Sequence, residues 1–308
     1  MSGSVRRQDG RISVRVELAE SPEALAVLDT IVDQIVATIA DEIERAECKR
    51  AILKPPASLD AWEAYHRGLW HMYRFNGPDN ETGARFFREA LRLDPTFARA
   101  HAGLSFTHFQ NVFLGLTPDR DAQLRLAIDT ASQSLSADAR DPAAHWAMGR
   151  ALWLGGDQCE SIAELERSVE LSPNFALGHY TLGFVQAQSG DPRAAIEAAD
   201  LSRRLSPFDP LQFGMLGSRA LALMRLGERE EAAEWALRAS TRPNAHAHIL
   251  AIAAIGLALA NRRDAAREQV GHIRARRPGY TIEDFIEAFR LAPDAEQLVR
   301  AAARDVGF

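Results

Sequence analysis

The segment VELSPNFALGHYTLG at 169–183 carries the architecture of the whole chain. It closes one helical pattern with a leucine, a polar residue and a proline, then opens another. The same joint recurs as LRLDPTFARAHAGL from 91 and as RRLSPFDPLQFGM from 203. Pro173 and Pro207 stand 34 residues apart. Pro95 to Pro173 is 78, two units of 34 plus 10, and Pro207 to Pro278 is 71, two units plus 3. A fixed period of this size means a stack of identical supersecondary units, not one globular core.

A 34-residue period is that of the tetratricopeptide repeat (TPR), a pair of antiparallel helices. With proline at unit position 32, the unit 142–175 puts Met148 and Gly149 at 7 and 8, and Ser161, Leu165 and Ser168 at 20, 24 and 27. The unit 176–209 has Leu182, Gly183, Ala195, Ala199 and Ser202 there, and 247–280 has Ala253, Ala254, Ala266, Val270 and Ile273. Near 61–97, Gly68, Gly83, Phe87, Ala90 and Pro95 match with a longer turn; 98–141 and 210–246 match more loosely. Positions 8 and 20 must be small because the two helices cross there. Proline at 32 disfavours helix at the residue before it and so sets the joint. No helix pair can bury its apolar face alone, so the pairs stack. The expectation is an all-α right-handed superhelix of about six units over 56–280, with capping helices at 281–308. In the tail, Ile282, Phe285, Ile286 and Phe289 form the apolar side of a short helix from Thr281. A last helix after Pro293 carries Leu298 and Val299.

Residues 1–55 form a separate N-terminal part. RISVRVEL at 11–18 alternates Ile12, Val14, Val16 and Leu18 with polar neighbours, a strand pattern with no obvious sheet to join. A long helix follows, with Ser21 as cap and Pro22 in its first turn. Leu25, Leu28, Val32, Ile35, Ile39 and Ile43 make an apolar stripe near heptad period, and the helix ends around Lys54-Pro55-Pro56. One reading packs this helix on the first repeat as a cap. The other pairs strand and helix with a second copy, giving a homodimer through residues 11–43.

The chain also resembles the C-terminal half of a bacterial family of class III adenylate cyclases and winged-helix transcriptional regulators. The resemblance rests on VRVEL before the long helix, KPPASLDAWEAYHRGLWH from 54, REALRLDPTFARAHAGL from 88, SPNFALGHYTLG, RRLSPFDPLQF and the closing LVRAAARDVGF. It implies a repeat module that regulates or localises an effector. The class III catalytic domain with its metal-binding aspartates is absent from this sequence, and residues 1–10 leave no room for a winged helix. An interaction scaffold in bacterial signalling or transcription control is therefore the first expectation. A regulatory accessory of a separately encoded cyclase or other enzyme is the alternative.

Composition narrows the chemistry. Of 36 basic residues only Lys49 and Lys54 are lysines, and the net charge is −6. No Gly-Lys phosphate loop exists, and no Schiff-base lysine after position 54. The acid balance argues against nucleic acid as partner. No apolar run reaches the roughly 18 residues of a membrane span. The N-terminus is no secretory signal, and Cys48 and Cys159 make no disulfide framework; a reducing cytoplasm is expected. No cofactor or metal is called for. His101, His145 and His179 share position 4 of their units, a packing position. His246 and His248 lack companions for a metal site. Cys159, in GGDQCE, has no histidine partner, and Asp41, Glu42 and Glu44 read as a solvated helix face.

The expected partner is another protein or peptide segment. In this fold the first helix of each unit lines the concave face through positions 2, 5, 9, 12 and 13. That selects Trp62, Tyr65, Leu69 and Met72; Arg99, Phe106 and Phe109; Trp146, Arg150 and Trp153; Tyr180 and Phe184; and Leu221, Met224 and Arg225. Aromatic and arginine residues are the usual anchors of interfaces. Tyr65, Leu69, Phe106, Phe109, Trp146, Arg150, Trp153, Tyr180 and Phe184 are accordingly the candidate groove. Lysine and asparagine, which a chaperone-type carboxylate clamp needs at such positions, are missing from them.

Overall fold

The computed structural model describes residues 2–8, 11–17 and 22–308. Helix α1 spans Pro22–Leu53. Six antiparallel helix pairs follow: α2 (Ala61–Met72) with α3 (Gly77–Leu93), α4 (Ala98–Phe113) with α5 (Arg120–Ala137), α6 (Pro142–Gly155) with α7 (Gln158–Leu171), α8 (Ala176–Ser189) with α9 (Pro192–Leu205), α10 (Gln212–Leu226) with α11 (Arg229–Ser240), and α12 (Ala247–Leu259) with α13 (Arg263–Arg276). Two further helices, α14 (Ile282–Ala288) and α15 (Pro293–Val306), close the chain. The fold is a TPR-type helical-hairpin solenoid.

Several helices start where the sequence supplies a side-chain acceptor for their free amides. Asp119, Asp157 and Asp191 cap α5, α7 and α9. Asp60 and Glu63 form a reciprocal capping box at α2, with Glu63 N donating to Asp60 Oδ1 at 2.8 Å. Within pairs, small residues let the helices cross closely. A Cβ on Gly183 would lie 3.1 Å from the Ala195 carbonyl oxygen, so the first helix cannot carry a larger side chain there. Hydroxyls fasten the crossings: Ser161 Oγ donates to Gly149 O at 2.7 Å, Ser105 Oγ to Ala127 O at 2.7 Å and Ser134 Oγ to Ala98 O at 2.7 Å.

The position-4 histidines are joint fasteners. His101, His145 and His179 each donate from Nε2 to the carbonyl six residues upstream, on Pro95, Ala139 and Pro173, at 3.1, 3.0 and 2.8 Å.

The first helices of successive pairs, α2, α4, α6, α8, α10 and α12, pack on one another and line the inside of the superhelix. α15 lies on α12 and α13 with Val299, Ala302 and Val306 buried, while Phe285 of α14 and Phe289 turn inward. At the other end the reading of a single partnerless strand at 11–18 is corrected: Arg11–Glu17 (β2) runs antiparallel to Ser2–Gln8 (β1), with Val5 opposite Val14. The expected cap Ser21 lies outside the described residues, as do the side chains of Leu25, Leu28 and Asp41.

Candidate functional site

The inside of the superhelix is closed by its own rings. Phe106 and Phe109 stack at 5.4 Å, Phe106 lies 5.0 Å from Trp146, and Trp153 stands 4.8 Å from Phe184. Phe113, at the end of α4, reaches across to Phe184 at 5.9 Å, Phe289 at 5.4 Å and His248 at 4.9 Å. Phe75 meets Phe213 at 5.0 Å. Hydrogen bonds follow the same route: His248 Nε2 donates to Phe113 O at 2.7 Å, and Arg277 Nη1 to Leu114 O at 2.9 Å. The second pair therefore touches the sixth pair and the tail.

This corrects the concave-groove reading. Tyr65, the most exposed of the nine candidates, shows 8% of its surface, and Phe106, Phe109 and Trp153 show 1% each. Leu69, Trp146, Arg150, Tyr180 and Phe184 are buried with them. These positions do point inward, but inward here is not accessible. The rings are wide enough to fill the bore, and burying them is worth more than leaving a wetted apolar channel. Arg150 sits inside this cluster. Its guanidinium lies 4.4 Å from the Phe109 ring centre and 5.2 Å from that of Phe184. Nη1 donates to Thr181 Oγ1 at 3.1 Å, a hydroxyl that also accepts from Trp146 Nε1 at 2.8 Å. Burial pushes the Arg150 pKa down, and Tyr180 offsets part of that.

His246 and His248 also belong to the interior, their ring centres 5.5 Å apart. With Nε2 donating to Phe113 O, His248 Nδ1 accepts from the Tyr280 hydroxyl at 2.5 Å, so the neutral tautomer is defined. Burial pushes His248 down to about 4. Burial, then the charge of His248, holds His246 well below the usual imidazole range.

One set of accessible features lies on and beside α1. Its C-terminal half is fastened to α2: Cys48 Sγ donates to His66 O at 3.2 Å, Trp62 Nε1 donates to Glu47 Oε2 at 3.0 Å, Arg67 Nη1 donates to Lys54 O at 2.8 Å, and Lys54 pairs with Glu63. Burial, helped by Glu44 and Glu47, pushes the Cys48 thiol up to about 12. The helix also touches α9, and Arg45 lies over the Phe208 ring at 5.8 Å. It thus crosses one mouth of the superhelix like a strap.

The face that α1 turns to the array is made of small residues, Ala37, Cys48 and Ala51. Of the apolar stripe read on this helix, Ile35 is half-buried while Val32, Ile39 and Ile43 stay exposed, joined by Val36, which the stripe did not include. Val32 is 53% exposed, Val36 46%, Ile39 41% and Ile43 53%. Beneath the strap lies a cavity of about 340 Å³, bordered by Val36, Ile43, Trp62, Tyr65, Arg99 and Phe175. Arg99 Nε donates to Asp141 Oδ2 at 2.8 Å; burial opposes its charge, but Tyr65 and Asp141 outweigh burial and raise its pKa. Trp62, 42% exposed, stacks on Phe97 at 6.2 Å. Heptad spacing could have flagged this outer seam, but it gave no sign of which side of the helix would be covered. Among the described residues no helix is long and apolar enough to cross a membrane, and no group of three His, Cys, Asp or Glu side chains is placed to hold a metal ion.

Comparisons with known proteins agree on the fold. No family model matches the sequence. A Rhizobium meliloti (strain 1021) protein provisionally named adenylate cyclase 3 is 25% identical over 173 residues, 50% of this chain and 29% of that protein. Among solved structures, the monomeric IFIT1 mutant with Gppp-AAAA matches with TM-score 0.60 and 12% identity, covering 86% of this chain and 58% of that one. The Cut9–Hcn1 hetero-tetramer of the APC/C gives 0.55 and 14%, covering 79% and 42%. PilW, a type IV pilus biogenesis factor, gives 0.50 and 16%, covering 73% and 96%. At these identities the likeness is one of fold. The chain spans little more than a quarter of the cyclase-named protein.

Proposed function

We propose that this chain is a protein-interaction module whose docking face is the exposed stripe of α1 with the mouth it borders, and whose partner presents an amphipathic helix. The observation that carries this is the exposed stripe Val32, Val36, Ile39 and Ile43. Its spacing of four, three and four residues is that of a coiled-coil seam, which a partner helix with apolar residues at matching intervals fills. Val36 and Ile43 also border the mouth cavity, so a helix laid along α1 can set a side chain into the space next to Trp62. The filled interior supports the same reading from the other side, because it leaves the usual concave surface of a repeat array occupied. The partial match to a bacterial protein with a cyclase name supports a setting in bacterial regulation. It covers too little of that protein to bring an activity with it.

The test joins a photo-crosslinker at Thr38 to the double substitution Val36→Glu, Ile43→Glu. Both residues are about half exposed, so melting should stay unchanged. The expected result is crosslinks to a heptad-patterned segment of one prey protein, lost in the double variant. Crosslinks to this chain's own α1, with a dimer mass by light scattering, would replace the partner by a second copy. Equal capture by both forms would sink the docking face.

A further inference from the structure

A second surface feature lies away from α1, in a cleft of about 420 Å³ between the α6–α7 turn, the end of α8 and the α14–α15 connection. Its lining includes Trp153, Gly156, Gln158, Ser189 and Arg290. Arg290 is the one ionised side chain of that lining, and no carboxylate is part of it.

Two hydrogen-bonding groups here have no partner among the described residues. The Trp153 indole is 1% exposed and its Nε1–H has no acceptor. Trp62, Trp146 and Trp235 by contrast all donate theirs, to Glu47, Thr181 and Glu231. The Ser189 hydroxyl is also unpartnered. A buried donor left unmade costs about 1–3 kcal/mol, so an indole N–H beside a roomy cleft calls for an acceptor.

The third group is charged and held in place. Arg290 Nη2 donates to Leu154 O, its backbone N–H to Gln188 Oε1 at 3.2 Å, and the neighbouring Ala292 N–H to Gln188 O at 2.9 Å. Nη1 stands 3.7 Å from where a Cβ on Gly156 would be, and Gly156 has the left-handed φ of 95° that favours glycine. Arg120 adds positive charge nearby: burial, then the charge of Arg290, lowers its pKa, with Glu287 and Asp121 offsetting part of this. Asp294, in the first turn of α15, is drawn to Arg225 at 3.5 Å.

We propose that this cleft binds a carboxylate, with Arg290 supplying the charge and Trp153 Nε1 and Ser189 Oγ the neutral donors. One guanidinium with two neutral donors matches a monoanion. A phosphate dianion would draw several cations or a nest of backbone amides. The proposal stands independently of the docking face on α1.

The test uses the full chain and acetate as probe. The readout is the indole ¹H–¹⁵N signal of Trp153, assigned by its loss in Trp153→Phe. Acetate should move that signal saturably at roughly millimolar concentration, while chloride at equal ionic strength should not. Arg290→Gln should weaken binding roughly tenfold or more. Because Arg290 also fastens the tail to Leu154, Ser189→Ala is the second variant and should weaken binding a few-fold without changing the melt. A peptide with a free C-terminal carboxylate, set against its amide, separates the sources: tighter binding than acetate assigns the site to a chain terminus, equal binding to small acids. No saturable shift with acetate, or equal shifts with chloride or sulfate, would overturn the proposal.

Discussion

Acidification should loosen this fold from the inside, and His248 is where the effect can be isolated. The imidazole donates to Phe113 O, accepts from Tyr280 and is 2% exposed, so it folds neutral. Burial depresses its pKa from 6.5 to about 4, the Phe113 carbonyl and Asp284 opposing this and Arg277 adding to it. Between those values the unfolded chain binds a proton that the folded chain refuses. Stability therefore rises with pH across that window, is complete above the unfolded value and is lost as pH falls towards the folded one. A depression of this size corresponds to about 3 kcal/mol. The other faces of the ring hold Phe285, Phe289 and His246, and His246 is depressed in the same sense. The assay is urea unfolding followed by tryptophan fluorescence at several pH values across the window, for wild type and His248→Gln. The wild-type unfolding free energy should fall by about 3 kcal/mol more than the variant's over that range. Parallel curves would show that His248 does not fold neutral, and its burial in the closed interior would be refuted.

The rest of the interior gives sharper stability tests. Trp146→Ala and Phe184→Ala should each cost about 3–5 kcal/mol, measured by chemical denaturation, since both rings are buried on several neighbours. Values near zero would return those rings to a free surface. Arg150→Met should fall within about 1 kcal/mol of wild type, because the guanidinium is held by rings and the hydroxyls of Thr181 and Tyr180 without an ion pair among the described residues. A loss several times larger would mean that the ring cluster depends on the charge. Iodoacetamide should label the exposed Cys159 well before Cys48, whose thiol is buried and pushed up to about 12. Intact mass after brief labelling would show it, and equal rates would mean that α1 does not stay on α2.

What the sequence could and could not disclose follows from the range of each interaction. The 34-residue spacing of Pro173 and Pro207, the small residues at Gly149 and Gly183, and the position-4 histidines are all settled within one helix pair or one joint, so they were legible. Whether the bore is open is decided between pairs far apart in the chain. His248 meets Phe113 across 135 positions, a relation that no single period encodes. A clue was nevertheless printed in α12. AHILAIAAIGLAL is apolar on every side, and a helix of that kind must be covered all round. An array with an open concave face would have left one side of α12 wet, so the last first-helix already required a filled interior, with α15 over it and Phe113 and Phe289 before it. The stripe on α1 teaches the converse. Val32, Val36, Ile39 and Ile43 keep a clean seam, yet the buried face of α1 is made by Ala37, Cys48 and Ala51, where small size counts for more than apolar bulk. Heptad pattern tells that a helix has a face worth burying. Only packing tells which face the chain has buried itself and which it has left exposed.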